Sequence, residues 1–282
     1  MKTKTICIAL ATLLTTSSCA SSAQDWGNKR IKESKNYVTK EIKVGDFNKI
    51  VLNGSAGITY TQKPGKPQVV VHTSDNIAEA LDIHEKGGTL YVSFKKGYSV
   101  TYTKLEINAS SAGLQEAVMN GSGDISLGNL DADGSLHIQL NGSGDIEGKD
   151  IRCTNASVVL AGSGDIALGS MECRELTTTV AGSGDVVLNG VRASSVQASV
   201  AGSGDLTLRG EAGEAQYSVA GSGDLHASGL RAKSVNASVA GSGDITCYAA
   251  DYLKARTTGS GSIGYKGEPK ELDLPKKNIY EL

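Results

Sequence analysis

The chain has 282 residues, enough for one large domain or two ordinary ones. Glycine is frequent at 35 residues, while proline stands at 4, phenylalanine at 2 and tryptophan at 1, which fits neither collagen nor a core built on aromatic side chains. The formal net charge is −2, and residues 121–247 hold 15 acidic against 7 basic residues, a balance that disfavours nucleic acid and anionic lipid as partners.

The chain starts Met-Lys-Thr-Lys, continues with an apolar stretch from Ile6 to Leu14, and then turns small and polar, the layout of an export signal over residues 1–23. That stretch is far short of the roughly 20 apolar residues a membrane-spanning helix needs, and no later segment comes closer. Two processing sites compete. Ser21-Ser22-Ala23 suits an ordinary signal peptidase, and Thr16-Ser17-Ser18-Cys19 is similar to a lipobox, which would make Cys19 a lipid anchor although Thr16 departs from the usual aliphatic residue. Either way the expectation is an exported, cell-envelope protein without a transmembrane segment. A charged, polar lead-in follows at 24–45.

From residue 120 one motif dominates. Gly-Ser-Gly-Asp occurs at 121–124, 142–145, 162–165, 182–185, 202–205, 221–224 and 241–244, and Gly-Ser-Gly-Ser closes the run at 259–262, in steps of 21, 20, 20, 20, 19, 20 and 18 residues. A period of this size means a solenoid or a similar array. Leucine-rich repeats share the period but need several leucines and an asparagine per unit, and these units have no segment long enough for a helix. The position after each Asp reads Ile125, Ile146, Ile166, Val186, Leu206, Leu225, Ile245, and segments before the motif, such as Val196-Gln197-Ala198-Ser199-Val200, alternate apolar and polar with period two. The expected fold class is therefore all-β, a parallel β-helix (β-solenoid) with rungs of about 20 residues, irregular at 46–119 and regular at 120–265, followed by a charged tail at 266–282 that could cover the open end.

In this frame the glycines are expected to serve a sharp corner, and Ser and Asp to satisfy its backbone amides. The column Asp124, Asp145, Asp165, Asp185, Asp205, Asp224, Asp244 would stack in register. Carboxylates about 5 Å apart repel by roughly 0.8 kcal/mol per pair even in water, which turn amides, splayed rotamers and salt can offset and which Ca²⁺ between rungs would also offset. Seven residues beyond each Asp the series Asp131, Arg152, Glu172, Arg192, Ala212, Arg231 alternates in sign over its first four members. After the signal the cysteines are Cys153, Cys173 and Cys247; the first two lie one repeat apart and are expected to stack as small buried side chains rather than to form a disulfide.

The succession Phe47-Asn48-Lys49-Ile50-Val51-Leu52-Asn53-Gly54, Ile58-Thr59-Tyr60-Thr61-Gln62, Gly87-Gly88-Thr89-Leu90-Tyr91-Val92 and Asn120-Gly121-Ser122-Gly123-Asp124-Ile125 resembles the head GIN domain family of putative auto-transporter adhesins of Bacteroidota exported proteins, over roughly residues 46–265. The resemblance implies a β-helix-like solenoid, export to the envelope and an adhesive or scaffolding role, and it brings no catalytic residues. The opening Gly54-Ser55-Ala56-Gly57 departs from the later motif.

Enzymatic function finds little support in the residues. Tyr217 is the only Phe, Tyr or Trp between 121 and 247, His137 and His226 lie rungs apart, and repeated identical aspartates cannot supply the two differently tuned carboxylates of glycoside chemistry. The expected function is a non-enzymatic adhesin or surface scaffold that meets a protein or glycan, with no cofactor, no metal and no catalytic residue assigned. The alternatives are a carbohydrate-active β-helix enzyme and a structural spacer without a specific ligand.

Overall fold

A computed structural model describes residues 29–274 and 278–282; the expected signal 1–23, both processing sites and Cys19 lie outside the described residues. The fold is the all-β parallel solenoid expected, with 66% strand, 2% helix and about eight turns of about 20 residues. Among the described residues no helix is long and apolar enough to cross a membrane.

Each regular rung has three sides. The first is the alternating segment before the motif, as in Ser135–Gly142 and Asn155–Leu160; the second follows the Asp, as in Ile125–Leu127 and Ile146–Gly148; the third is shorter, as in Leu130–Asp131 and Ile151–Arg152. From Val186 on, the second side, third side and next first side merge into single bent strands such as Val186–Val200 and Leu225–Gly241. Pairing between successive regular rungs is parallel, and the residue after the motif stays in register throughout, as Ile125↔Ile146↔Ile166↔Val186↔Leu206↔Leu225↔Ile245↔Ile263. Every member of that column is fully buried. Each such side chain contributes about 1.5–3 kcal/mol, and no rung could bury its own without neighbours.

Within 46–119 the architecture changes. Lys49–Gly54 and Ile58–Gln62 form one rung, on which Glu116–Gly121 and Ile125–Leu127 stack directly, so the chain spends 67 residues, not 20, between Lys49 and its partner Glu116. The intervening residues, joined by Tyr37–Ile42 from ahead of this rung, build the end of the solenoid. On the first side, the hairpin Leu81–Lys86/Thr89–Phe94 adds an antiparallel edge, turning through Gly87 (φ 61°) and Gly88 (φ 77°), the left-handed pair a tight hairpin requires. On the second side, Leu105–Ser111, Gln68–Ser74 and Tyr37–Ile42 extend the sheet, the last two antiparallel. A helix, Asp75–Ala80, buries Ile77 and Ala80 against this end. At the other end Glu271–Asp273 and Ile279–Glu281, from the expected tail, pair with the last rungs.

Candidate functional site

The corner carries the repeat, so its chemistry comes first. The glycine requirement differs from a simple need for left-handed backbone: none of the second glycines of the motif has a positive φ. The obstacle is the neighbouring rung. A Cβ on Gly144 would stand 1.7 Å from the carbonyl oxygen of Gly123, and one on Gly184 would stand 1.9 Å from that of Gly164. Ser143 and Gly144 both aim their amides at the Gly121 carbonyl one rung earlier, at 2.8 and 3.4 Å, which draws the corners into this contact. At the first corner of the stack the aligned residue is Ala56, tolerated where no earlier corner packs beneath.

The aspartates form a ladder. Oδ1 of each accepts the backbone N–H of the next: Asp165 to Asp145 at 3.0 Å, then Asp185, Asp205 and Asp224 each to the preceding Asp at 2.8 Å, and Asp244 to Asp224 at 2.7 Å. The column is thus in register and its carboxylates do satisfy corner amides, but those of the following rung instead of their own turn. The ladder closes at Ser262, which donates its N–H and Oγ–H to Asp244, and the next residue in this register is Asn278, whose carbonyl accepts the Ile263 N–H at 2.9 Å. Among the described residues no group of three or more His, Cys, Asp or Glu is arranged to hold a metal ion.

On the third side the outward residues pair as Asp131↔Arg152↔Glu172↔Arg192↔Glu211↔Arg231↔Tyr248. Counting seven residues from each Asp puts Ala212 in the fifth place; the structure puts Glu211 there, because the short 19-residue step is absorbed by a register shift between Leu188 and Val191. The alternation therefore runs through six rungs. Arg152 meets Glu172 at 3.3 Å, and Arg231 lies over the Tyr248 ring at 4.5 Å with a 2.9 Å hydrogen bond to its hydroxyl. The side chains of Asp131, Arg192 and Glu211 have no hydrogen-bond or ion-pair partner among the described residues. A groove of about 820 Å³ follows this ladder from Gln62 to Glu211.

The first side presents neutral polar rows. Ser157, Thr177, Gln197, Gln216 and Asn236 stand in register, as do Thr179, Ser199, Ser218 and Ser238. A shallow depression of about 260 Å³ opens among Gln197, Glu214, Gln216, Ser234, Asn236 and Tyr252. His137 belongs to this side, bound to Ser157 and Gln139, while His226 is exposed on the second side, so the structure does not bring them together.

The core holds the remaining reactive groups. Cys153 and Cys173 stack on neighbouring rungs as free thiols, and their mutual hydrogen bond holds the half-buried Cys153 below, and Cys173 above, the ordinary thiol value. Burial pushes Cys247 up to about 12. Tyr217, the lone aromatic of the regular rungs, is no sugar platform: it is fully buried between Ala198 and Ala237, and its hydroxyl has no partner.

A family model described as "putative auto-transporter adhesin, head GIN domain" matches residues 46–186 and 169–269. The chain belongs to this family. The match takes in the opening-end strands from Lys49 on as well as the regular rungs, and the family is described by adhesion and not by a reaction. Solved structures agree. A putative lipid binding protein from Parabacteroides distasonis is similar at 28% identity and TM-score 0.67, covering 90% of this head GIN chain and 100% of its own. A putative adhesin from Bacteroides fragilis is similar at 29% identity and TM-score 0.52 over 89% of this chain and 100% of its own. A putative adhesin from Parabacteroides merdae, at 24% identity and TM-score 0.68 over 90% of this chain and 99% of its own, shares the fold. The curated proteins contain no significant match.

Proposed function

We propose that this head GIN protein is exported to the cell envelope and acts there as a non-enzymatic adhesin that binds a glycan on the first side of its solenoid. One observation carries the reading: the rows Ser157 to Asn236 and Thr179 to Ser238 form a rigid, uncharged lattice of hydroxyls and amides. Its members repeat about every 4.8 Å between rungs and about 6.6 Å along a strand. Short polar side chains held by the sheet lose little freedom on binding, which suits a polyhydroxylated partner joined by many weak hydrogen bonds. Tyr252 adds one aromatic side chain to the lining of the shallow depression, with Gln216 and Asn236. Family membership and the adhesin neighbours support the adhesive part.

The test is binding of the purified protein to a panel of immobilised glycans, repeated with Gln216→Ala/Asn236→Ala. The reading expects retention of a subset of glycans that the double variant loses while keeping its melting temperature. Release of new reducing ends from a bound glycan would overturn the non-enzymatic reading, and absence of retention across the panel would overturn the glycan reading.

A further inference from the structure

We propose that the alternating ladder of the third side is a self-complementary docking surface through which two copies of this chain pair with their solenoid axes antiparallel. The ladder has an even number of members, and reads minus, plus, minus, plus, minus, plus from Asp131 to Arg231. A two-fold axis perpendicular to the solenoid, passing between Glu172 and Arg192, sets the ladder against its own reverse. Asp131 then faces Arg231 of the second copy, Arg152 faces Glu211, and Glu172 faces Arg192, so all six cross-copy contacts join opposite charges. Copies docked parallel and in register would oppose six like pairs, which is disfavoured.

Alternation within one chain is explained by stacking, but two further observations point outward. Asp131, Arg192 and Glu211 are exposed and without side-chain partners among the described residues, so internal pairing engages only half of the ladder, and each cross-copy contact brings one of these three to a charge of opposite sign. The flanking exposed pair obeys the same symmetry: Asp133, two residues beyond Asp131, and Lys233, two beyond Arg231, meet under the same axis. A contact that maps onto itself is the ordinary form of a closed dimer. Charges at such a surface chiefly fix orientation and register, so the association should be weak in high salt.

Asp133 and Lys233 also supply the decisive measurement. They lie five rungs apart, about 24 Å within one chain, beyond a zero-length bond. Carbodiimide treatment of the purified protein in low salt, followed by digestion and mass spectrometry, should give an Asp133–Lys233 isopeptide confined to a species of doubled mass, lost in 0.5 M NaCl. Light scattering should show that Arg152→Glu raises the dimer dissociation constant by roughly tenfold or more, and that Arg152→Glu/Glu211→Arg restores it. The double variant separates the two roles, because it repairs the cross-copy pair while leaving the ladder within each chain non-alternating. A wild-type protein that stays monomeric in low salt, a dimer lacking the Asp133–Lys233 link, or a folded double variant that remains monomeric would each overturn the proposal.

Discussion

The regular rungs and the opening end of the solenoid solve the same problem differently. In the regular rungs every strand has a copy of itself above and below, so one solution, repeated, satisfies backbone, core and corner together. At the opening end, residues 37–119, the sheets have no earlier rung, and the chain closes them with antiparallel strands, a tight hairpin and a short helix, none of which repeats. Repetition raises the cost of a local error, because a corner residue touches another corner; the end tolerates change because its turns face open space.

Glycine-to-alanine substitutions should break this comparison most visibly. Gly184→Ala places a Cβ 1.9 Å from the Gly164 oxygen, a clash with the backbone of the preceding corner, which is itself packed on the corner before it and cannot shift alone. We expect a loss of about 4 kcal/mol or more, or failure to fold, measured by denaturant unfolding. Gly113→Ala, just before the strand Glu116–Gly121, meets no atom within 4 Å and has no positive φ, and should change stability by less than about 0.5 kcal/mol. Equal losses at the two sites would refute the inter-rung account.

Two buried tyrosines give a smaller contrast of opposite sign. Tyr60 near the opening end shares a 2.9 Å hydrogen bond with Ser111 Oγ and donates to the Ser111 carbonyl at 3.3 Å. Tyr60→Phe should therefore cost about 1–1.5 kcal/mol. Tyr217 in the regular rungs is equally buried, but its hydroxyl is unpartnered, and burial raises its pKa so that it stays neutral across the ordinary pH range. Tyr217→Phe should stabilise by about 1 kcal/mol, because it removes a buried polar atom that water once solvated. Thermal melts of both variants check the pair, and a destabilised Tyr217→Phe would mean that the hydroxyl has a partner.

The same contrast explains what could be read from the amino acids alone. The solenoid, its period and the Asp register are legible because each appears seven times, and chance cannot imitate that. The end sheets are not legible: hairpins that occur once have only local signals, such as Gly87-Gly88, and the sequence reading takes that region as irregular rungs. The charge ladder is half legible. A fixed count forward from the motif finds Asp131 to Arg192 and then fails at Ala212, since a one-residue deletion between the second and third sides moves the register without marking itself; counting back 13 residues from the following Asp, which gives Arg152, Glu172 and Arg192, also recovers Glu211. The burial of Tyr217 follows from its place in the alternation of residues 215–219, where Ala215 and Val219 also point inward.

The least effect is expected at the motif aspartates, and its smallness is informative. Asp205 accepts the Asp224 amide at 2.8 Å and donates its own amide to Asp185 at 2.8 Å, so its side chain is one step of a ladder whose acceptor oxygen matters as geometry and whose charge matters separately. Asp205→Ala removes the acceptor and should cost about 1 kcal/mol, the usual net worth of such a bond. Asp205→Asn keeps an oxygen in place; it gives up the charge assistance to the amide and also relieves repulsion from Asp185 and Asp224, roughly 0.8 kcal/mol per neighbour before screening by salt. The two changes offset, and the net should stay within about 0.5 kcal/mol in thermal melts. Millimolar Ca²⁺ should leave both wild-type and variant melting temperatures unmoved, since the amides already occupy the oxygen that faces the next rung. A calcium-dependent rise in the wild type that Asp205→Asn abolishes would instead make charge, and not hydrogen-bond geometry, the reason every rung carries an aspartate.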